Sequence, residues 1–389
     1  MKILSAAERT VDLGSATANA AISFDSMTAS AVVIEIETAR GRFRGLGFSS
    51  IGRFGHGGLL RERFIPRLLN ASARDFLDDN GEFSMQRAWA IVMANEKDGG
   101  HGERSGAVGV LETALWDALA KSQDLPLWAL LQRIFGHPLD GGPEPGKTRV
   151  YASGGHYHAG EAGHFRLRDE VRGALDQNYG WFKLKFGGAD EATDHARLLA
   201  AIETAGSPKF IAADANCSSD GKAGIETLRK LDELGLRWIE EPVKPLNFDG
   251  MAAAAGTIAT PLATGENIFS ADDTANLLRY GGMRPGHDIL QIDPVLSYGI
   301  TEYLRVIDIA EGMGWNRRDF FPHAGHQAAL HLCAGLGLGG HETASVPGPF
   351  GGVSDDTAIG SGVATLSDAP GAGIENKPAL YRYFDGLTD

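Results

Sequence analysis

Residues 181–186 read Trp-Phe-Lys-Leu-Lys-Phe, and five further short apolar runs follow at almost even spacing: IAAD (211–214), RWIE (237–240), ATGE (263–266), LQID (290–293) and FFPH (320–323). Each run ends on, or carries near its end, an ionisable residue: Lys185, Asp214, Glu240, Glu266, Asp293 and His323. The gaps between them are 29, 26, 26, 27 and 30 residues. One strand, one helix and two loops take about that length. Ionisable side chains at the C-terminal ends of successive parallel strands are how a (β/α) barrel assembles a site, so the spacing bears on fold and chemistry together.

Outward from this ladder, candidate strands recur at 149–153, 181–186, 210–215, 236–241, 261–266, 289–294, 319–323 and 343–346. Helical patterns such as GIETLRKLDELG and GITEYLRVIDIAEGMG lie between them. Eight strands alternating with helices favour a closed parallel barrel over an open doubly wound sheet. Before it, SAVVIEIET (30–38), a turn at Arg40-Gly41 and RFRGLGFSS predict an antiparallel hairpin. Helical patterns follow at 72–80, 83–96 and 106–122. The tail from 347 is rich in Gly, Pro and Ser but closes on a helix-like ALYRYFDGL, which predicts that it packs back on the first unit. The expected architecture is α/β: a modified (β/α)8 TIM-type barrel over 126–346. An N-terminal α+β capping domain over 1–125 is completed by the C-terminal segment 347–389.

Composition narrows the class. Of 389 residues, 43% are apolar and 22% charged, as in a globular protein with a core, and the formal net charge is −14. No basic stripe is present, which argues against nucleic acid or an anionic membrane as partner. Cys217 and Cys333 are the only cysteines, too few for a disulfide framework or a thiolate metal site. No run approaches the roughly 18 apolar residues of a membrane helix, and MKILSAAERTVDL lacks a signal-peptide core. The expected location is cytoplasmic, and the expected assembly is a homo-oligomer.

Asp214, Glu240 and Glu266 end three successive strands and would converge in a barrel. Three unpaired carboxylates repel one another, and a hard divalent cation resolves the conflict; all-oxygen ligation fits Mg²⁺. Glu241 adjoins Glu240 but faces the other side of the strand. Lys183 and Lys185 share one face. If that face is inward, each lowers the pKa of the other and one can serve as a base. If it is outward, Phe182, Leu184 and Phe186 fill the barrel instead; periodicity alone slightly prefers this, because it buries three apolar residues, and the sequence by itself does not settle the matter. Asp293 beside His323 would fix the imidazole tautomer and raise its pKa. His326, three residues on, lacks the HExxH context of a zinc site. Gly335-Leu-Gly337-Leu-Gly-Gly340 matches G-x-G-x-x-G, but a helical stretch and no strand precedes it.

Taken in order, KxK at 183–185, D-x-N at 214–216, IEEP at 239–242, GEN at 265–267, an Asp on the sixth strand and a His on the seventh resemble the enolase superfamily, mandelate racemase subgroup. General principle already pairs that superfamily's Lys or His base with Mg²⁺. Within it, GRFGHGGLLRERF (52–64), NEKDGGHGERSGAVG (95–109), PHAGHQ (322–327) and AGLGLGGHE (334–342) resemble the D-tartrate dehydratases. The resemblance implies a hydro-lyase with Lys185 as general base and His323 as general acid. Asp214, Glu240 and Glu266 would hold Mg²⁺, Lys183 would adjust the charge around Lys185, and Asp293 would orient His323. It also implies substrate contacts at Asn19, Ile51, His101, Tyr157 and Glu342, and a small carboxylate (an acid sugar) as partner. Two departures bear on specificity. Ile51 stands where tartrate dehydratases carry Asn, and His156-Tyr157-His158 replaces three tyrosines. A racemase or epimerase, a lactone cycloisomerase and a non-catalytic sugar-acid binder are the competing readings.

Overall fold

The computed structural model describes residues 1–12, 27–50, 55–99, 102–136, 144–158, 164–219, 221–344, 351 and 353–387. Asn19, Ile51 and His101 lie outside them. The chain opens with three antiparallel strands, β1 (Lys2–Asp12), β2 (Thr28–Thr38) and β3 (Gly41–Phe48). β2 and β3 form the expected hairpin, with Thr38 opposite Gly41 and Ala31 opposite Phe48. β1 was not anticipated: its KILSAAERTVD carries Lys, Leu, two Ala, Glu and Arg, which favour helix locally. Pairing along nearly the whole length of β2 overrides that preference.

Glycine decides how this sheet is covered. A Cβ built on Gly45 would lie 2.0 Å from the Ala114 carbonyl oxygen, and one on Gly47 would lie 2.2 Å from that of Val110. Bare backbone at these two positions lets the helix Gly102–Ser122 lie directly on β3. That helix begins four residues before the expected 106 and is buried almost all round. Of the other expected helices, 83–96 is realised as Met85–Val92, with Ser84 as its N-cap, and 72–80 shrinks to one 3-10 turn, Ala73–Phe76. An unanticipated helical stretch runs from His56 to Asn70.

The barrel strands are β4 (Lys147–Gly154), β5 (Phe182–Lys185), β6 (Ile211–Asp214), β7 (Ile239–Glu240), β8 (Leu262–Thr264), β9 (Ile289–Leu290) and β10 (His341–Ala344). Neighbours from β4 to β9 pair in parallel, and β10 pairs in parallel with β4, joining the last strand to the first. The seventh strand, expected at 319–323, is reduced to a single bridge between Leu290 and Phe320. Phe321 donates its N–H to Leu290 at 2.8 Å and Gly339 donates to Phe320 at 2.9 Å, so Phe320 still links β9 to the segment that enters β10. Pro322 has no N–H to extend the ladder.

Both faces of these strands are covered. Phe182, Leu184 and Phe186 belong to the large core shared with the helices, whereas Trp181, Lys183 and Lys185 point into the barrel. Its floor is aromatic: Tyr151, Trp181, Trp238 and Phe321 pack with ring centroids 5.0 to 5.9 Å apart. The ladder residues stand one or two layers above this floor, on the same parity. β11 (Ala358–Gly360) and β12 (Val363–Thr365) form a hairpin on the start of β4.

The tail docks on the first unit through one buried carboxylate. Asp117 accepts the N–H of Leu46 at 2.8 Å, the N–H of Ala372 at 2.6 Å and the Lys121 ammonium at 2.6 Å. A second carboxylate, Glu112, reaches from the same helix to the barrel. It accepts the N–H groups of Ile300 and Thr301 at 2.8 and 3.0 Å, at the start of the helix Ile300–Gly312. Among the described residues no helix is long and apolar enough to cross a membrane. Gly45→Val is expected to destabilise the protein by about 1–3 kcal/mol, the usual cost of forcing a side chain into a packed contact. Urea unfolding followed by circular dichroism measures it, and an unchanged midpoint would contradict the close packing of helix on sheet.

Candidate active site

The inward residues of β5 to β9 bring a dense set of charges to the C-terminal mouth of the barrel. Ligand atoms of Asp214, Glu240 and Glu266 all lie within 4.8 Å of one another, and all three residues are buried. Each comes from a different strand end: Asp214 closes β6, Glu240 closes β7, and Glu266 follows β8. Glu241 takes a left-handed φ of 41° and turns away to Asn267, whose Nδ2 donates to it at 2.8 Å. Even spacing therefore selected the carboxylate that joins the cluster.

The lysines face inward. Lys183 Nζ lies 2.5 Å from Glu240, 3.1 Å from Glu342 and 3.5 Å from Asp214. Lys185 Nζ lies 2.5 Å from Asp214. Outward burial of the lysines is thus excluded, because the outer face already carries Phe182, Leu184 and Phe186. Burial would lower the Lys185 pKa and Lys183 adds to that, but the carboxylates led by Asp214 outweigh both and hold it above its ordinary value. Clustering with Lys183 alone does not neutralise Lys185.

His323 closes the other flank. Its Nε2 is 3.2 Å from Glu266 and its Nδ1 is 3.3 Å from Asp293. Burial pulls its pKa down, but Glu266, Asp293 and Glu342 overcome this and raise it to about 9. Asp293 is anchored in turn by the N–H groups of Val295 and Leu296 at 2.8 and 3.1 Å. His326 has a different task. It stacks on Phe48 at 3.9 Å, bonds the Phe48 carbonyl through Nε2 at 2.9 Å and accepts the Ala328 N–H at Nδ1. Both nitrogens are used, so His326 is a tie between barrel and cap and not half of a zinc pair.

The remaining expected contacts fall unevenly. Glu342 points inward from β10 onto Lys183, and the Ala324 N–H reaches it at 3.3 Å. Tyr157 turns its hydroxyl to Asp194 at 2.7 Å, under the Arg197 guanidinium. Its neighbour His156 is the residue whose charge is coupled to the site: burial, then the Lys185 charge, lowers its pKa to about 4. Asn19, Ile51 and His101 are outside the described residues. Two members were missed in the sequence. Gln291 donates to Glu240 at 2.7 Å and Trp238 donates to the same oxygen at 3.1 Å. Both have the inward parity of the ladder, two residues before Asp293 and Glu240, and that parity was the available signal.

Charge counting tests whether a cation fits. The buried carboxylates Asp214, Glu240, Glu266, Asp293 and Glu342, with Glu241 beside them, outnumber the two lysines and one histidine that face them. A divalent ion supplies positive charge that is lacking there. Burial and the neighbouring Asp214, Glu342 and Glu266 push Glu240 up to about 8, which is the strain that such an ion relieves. Asn216 Oδ1 is a buried oxygen without a hydrogen bond, as a ligand-facing oxygen would be, and Glu266 Oε2 meets the His323 imidazole at 3.2 Å. An all-oxygen set of this kind suits Mg²⁺.

Residues 166–380 match the family described as "Enolase C-terminal domain-like". The chain belongs to that family. It is a member of the mandelate racemase/enolase superfamily, and the capping unit and barrel described above are that superfamily's architecture. It is 29% identical over 315 residues to the L-talarate/galactarate dehydratase of Salmonella typhimurium, covering 80% of this chain and 72% of that one. It is 28% identical over 228 residues to the arabinonate dehydratase of Saccharolobus solfataricus, covering 58% and 57%. Among solved structures, the L-talarate dehydratase of Polaromonas sp. JS666, complexed with Mg and L-glucarate, superposes with a TM-score of 0.75 at 25% identity. That match covers 96% of this chain and 94% of the other.

The raised His323 pKa has a sign. A histidine whose folded pKa of about 9 exceeds its ordinary 6.5 contributes stability in full below about 6.5, and that contribution is lost as pH rises through 9. In protein treated with chelator, the His323 imidazole is expected to titrate near pH 9 by ¹⁵N NMR, and Mg²⁺ is expected to lower the midpoint by engaging Glu266. A midpoint near 6.5 without metal would contradict the Glu266 and Asp293 contacts.

Proposed function

We propose that this protein is a Mg²⁺-dependent hydro-lyase of acid sugars. It removes the proton α to a carboxylate, eliminates the 3-hydroxyl as water and leaves a 2-keto acid. The observation that carries the reading is the placement of Lys185 and His323 on either flank of one three-carboxylate site, the lysine against Asp214 and the histidine against Glu266. The dehydratases among the similar proteins support it.

Asp214, Glu240 and Glu266 would hold the ion. Magnesium, when bound, supplies fixed positive charge beside the substrate carboxylate and offsets the negative charge that proton removal creates there. Lys185 is the general base: an ion held by Asp214 would compete for the carboxylate that keeps the Lys185 ammonium protonated, and the neutral Nζ takes the proton α to the carboxylate, leaving the electron pair as an enediolate. Lys183 opposes a second positive charge at Lys185 and, through its contacts with Glu240 and Glu342, keeps those carboxylates compensated. His323 is the general acid. Its protonated Nε2 delivers a proton to the departing hydroxyl, so water and not hydroxide leaves, and the enol then tautomerises to the keto acid. Asp293 holds the Nδ1 side and keeps the proton-bearing nitrogen turned toward the substrate.

The finer proposal is a diacid sugar of the D-tartrate type. The motifs shared with the tartrate dehydratases support it, and six-carbon diacids such as galactarate are the nearest competitors. Asn19, Ile51, His101, Tyr157 and Glu342 are proposed to read the substrate. One competing reading has its own support, because a 3,6-anhydro-α-L-galactonate cycloisomerase of Streptomyces coelicolor is also 27% identical over 287 residues.

The test is a panel of D-tartrate, galactarate, L-talarate and arabinonate in D₂O, scored for 2-keto acid and for α-deuterium. Keto acid is expected; α-exchange or ring opening without keto acid would overturn dehydration. Lys185→Ala is expected to lower turnover by about 10³-fold or more, and activity retained in that variant removes it as the base. EDTA is expected to abolish turnover and Mg²⁺ to restore it; indifference to chelation would remove the metal.

A further inference from the structure

The acid of the site is not held by the barrel alone. Asp293 uses Oδ1 for the two backbone N–H groups of its own loop. Its Oδ2 faces His323 Nδ1 and also accepts the hydroxyl of Ser50, which is 243 positions away in the capping unit. Ser50 lies two residues past the end of β3 and is 9% exposed. The strand end that carries it is fixed on both sides. The Phe48 carbonyl and ring are held by His326, the Ser49 N–H donates to Ser30 at 2.9 Å, and Ser49 Oγ lies 3.1 Å from His56 Nδ1.

We propose that Ser50 is a positioning residue for the general acid: its hydroxyl occupies one lone pair of Asp293 Oδ2, leaving the other to receive the Nδ1–H of His323. A carboxylate oxygen offers two such directions. With Oδ1 tied to backbone and one side of Oδ2 tied to Ser50, the carboxylate presents a single remaining acceptor, and the imidazole has one orientation to adopt. Without the hydroxyl, Oδ2 keeps one partner and the direction of the His323 bond is no longer fixed. The cap thereby takes part in building the acid. The inference rests on reading His323 as that acid only for its kinetic consequence; the geometric claim stands on the hydrogen bonds.

The 389-residue chain loaded with Mg²⁺ and labelled with ¹⁵N-histidine tests it, with His323→Asn assigning the resonance. In Ser50→Ala the His323 Nδ1–H is expected to exchange with solvent at least about 10-fold faster, and Ser50→Thr is expected to restore the wild-type rate. Removing an outer hydrogen-bond partner of a site residue typically costs about 10–100-fold in activity. With galactarate, kcat for dehydration is accordingly expected to fall by about that factor. KM should stay within about two-fold, and α-proton exchange in D₂O, which uses Lys185 and the ion but not His323, should persist. Should Ser50→Ala fold poorly, Ser50→Cys keeps the volume with a weaker donor and is expected to give an intermediate exchange rate. Exchange within about two-fold of wild type in every variant that lacks the hydroxyl overturns the proposal. Faster exchange in a wild-type background that dehydrates no acid sugar supports the positioning and removes instead the reading of His323 as acid.

Discussion

Everything at the mouth of the barrel follows from too many buried carboxylates. Asp214, Glu240, Glu266, Asp293 and Glu342 are brought together by strand geometry, and burial makes their mutual repulsion expensive. Lys183 answers it from below, touching three of the five; Lys185 and His323 answer it at the edges. The negative charge these three leave over is what a divalent ion would offset. The same arrangement that favours a cation leaves Lys185 on one side of the triad and His323 on the other, where the proposed base and acid would work under one electrostatic constraint.

The ladder was readable because the barrel repeats. Each turn of strand and helix returns an inward side chain to the same height, and the even gaps expose that repetition in one dimension. The direction of Lys183 and Lys185 was not readable, because both faces of a barrel strand are buried and apolar periodicity cannot tell inside from outside. The structure resolves it through the helices, which take Phe182, Leu184 and Phe186 and leave the lysines the interior. β1 was hidden by a composition that favours helix, and the seventh strand was overstated because a run of aromatic residues pairs only at Phe320. The hydrogen bond from the Tyr157 hydroxyl to Asp194 was not readable either, because only the fold brings residues 157 and 194 together.

Long-range carboxylates and carbonyls tie the two units into one body. Glu112 ends on the first N–H groups of a barrel helix, where partial positive charge favours an anion. Asp117 gathers β3, the tail and Lys121 at one point. The Phe48 carbonyl is held by His326, and Ser50 reaches Asp293. Among the described residues these last two ties reach the His323 side of the site, so substitutions at the end of β3 can be felt at His323 without touching Asp214, Glu240 or Glu266.

The aromatic floor has a use beyond packing. Trp238 donates its indole N–H to the same Glu240 oxygen that Gln291 engages, and it packs against Trp181 with ring centroids 5.5 Å apart. Indole emission responds to nearby charge and to hydrogen bonding at that nitrogen. The floor is thus joined through one indole N–H to the middle carboxylate of the triad, so a change of charge at Glu240 would be felt by the aromatic layer beneath it.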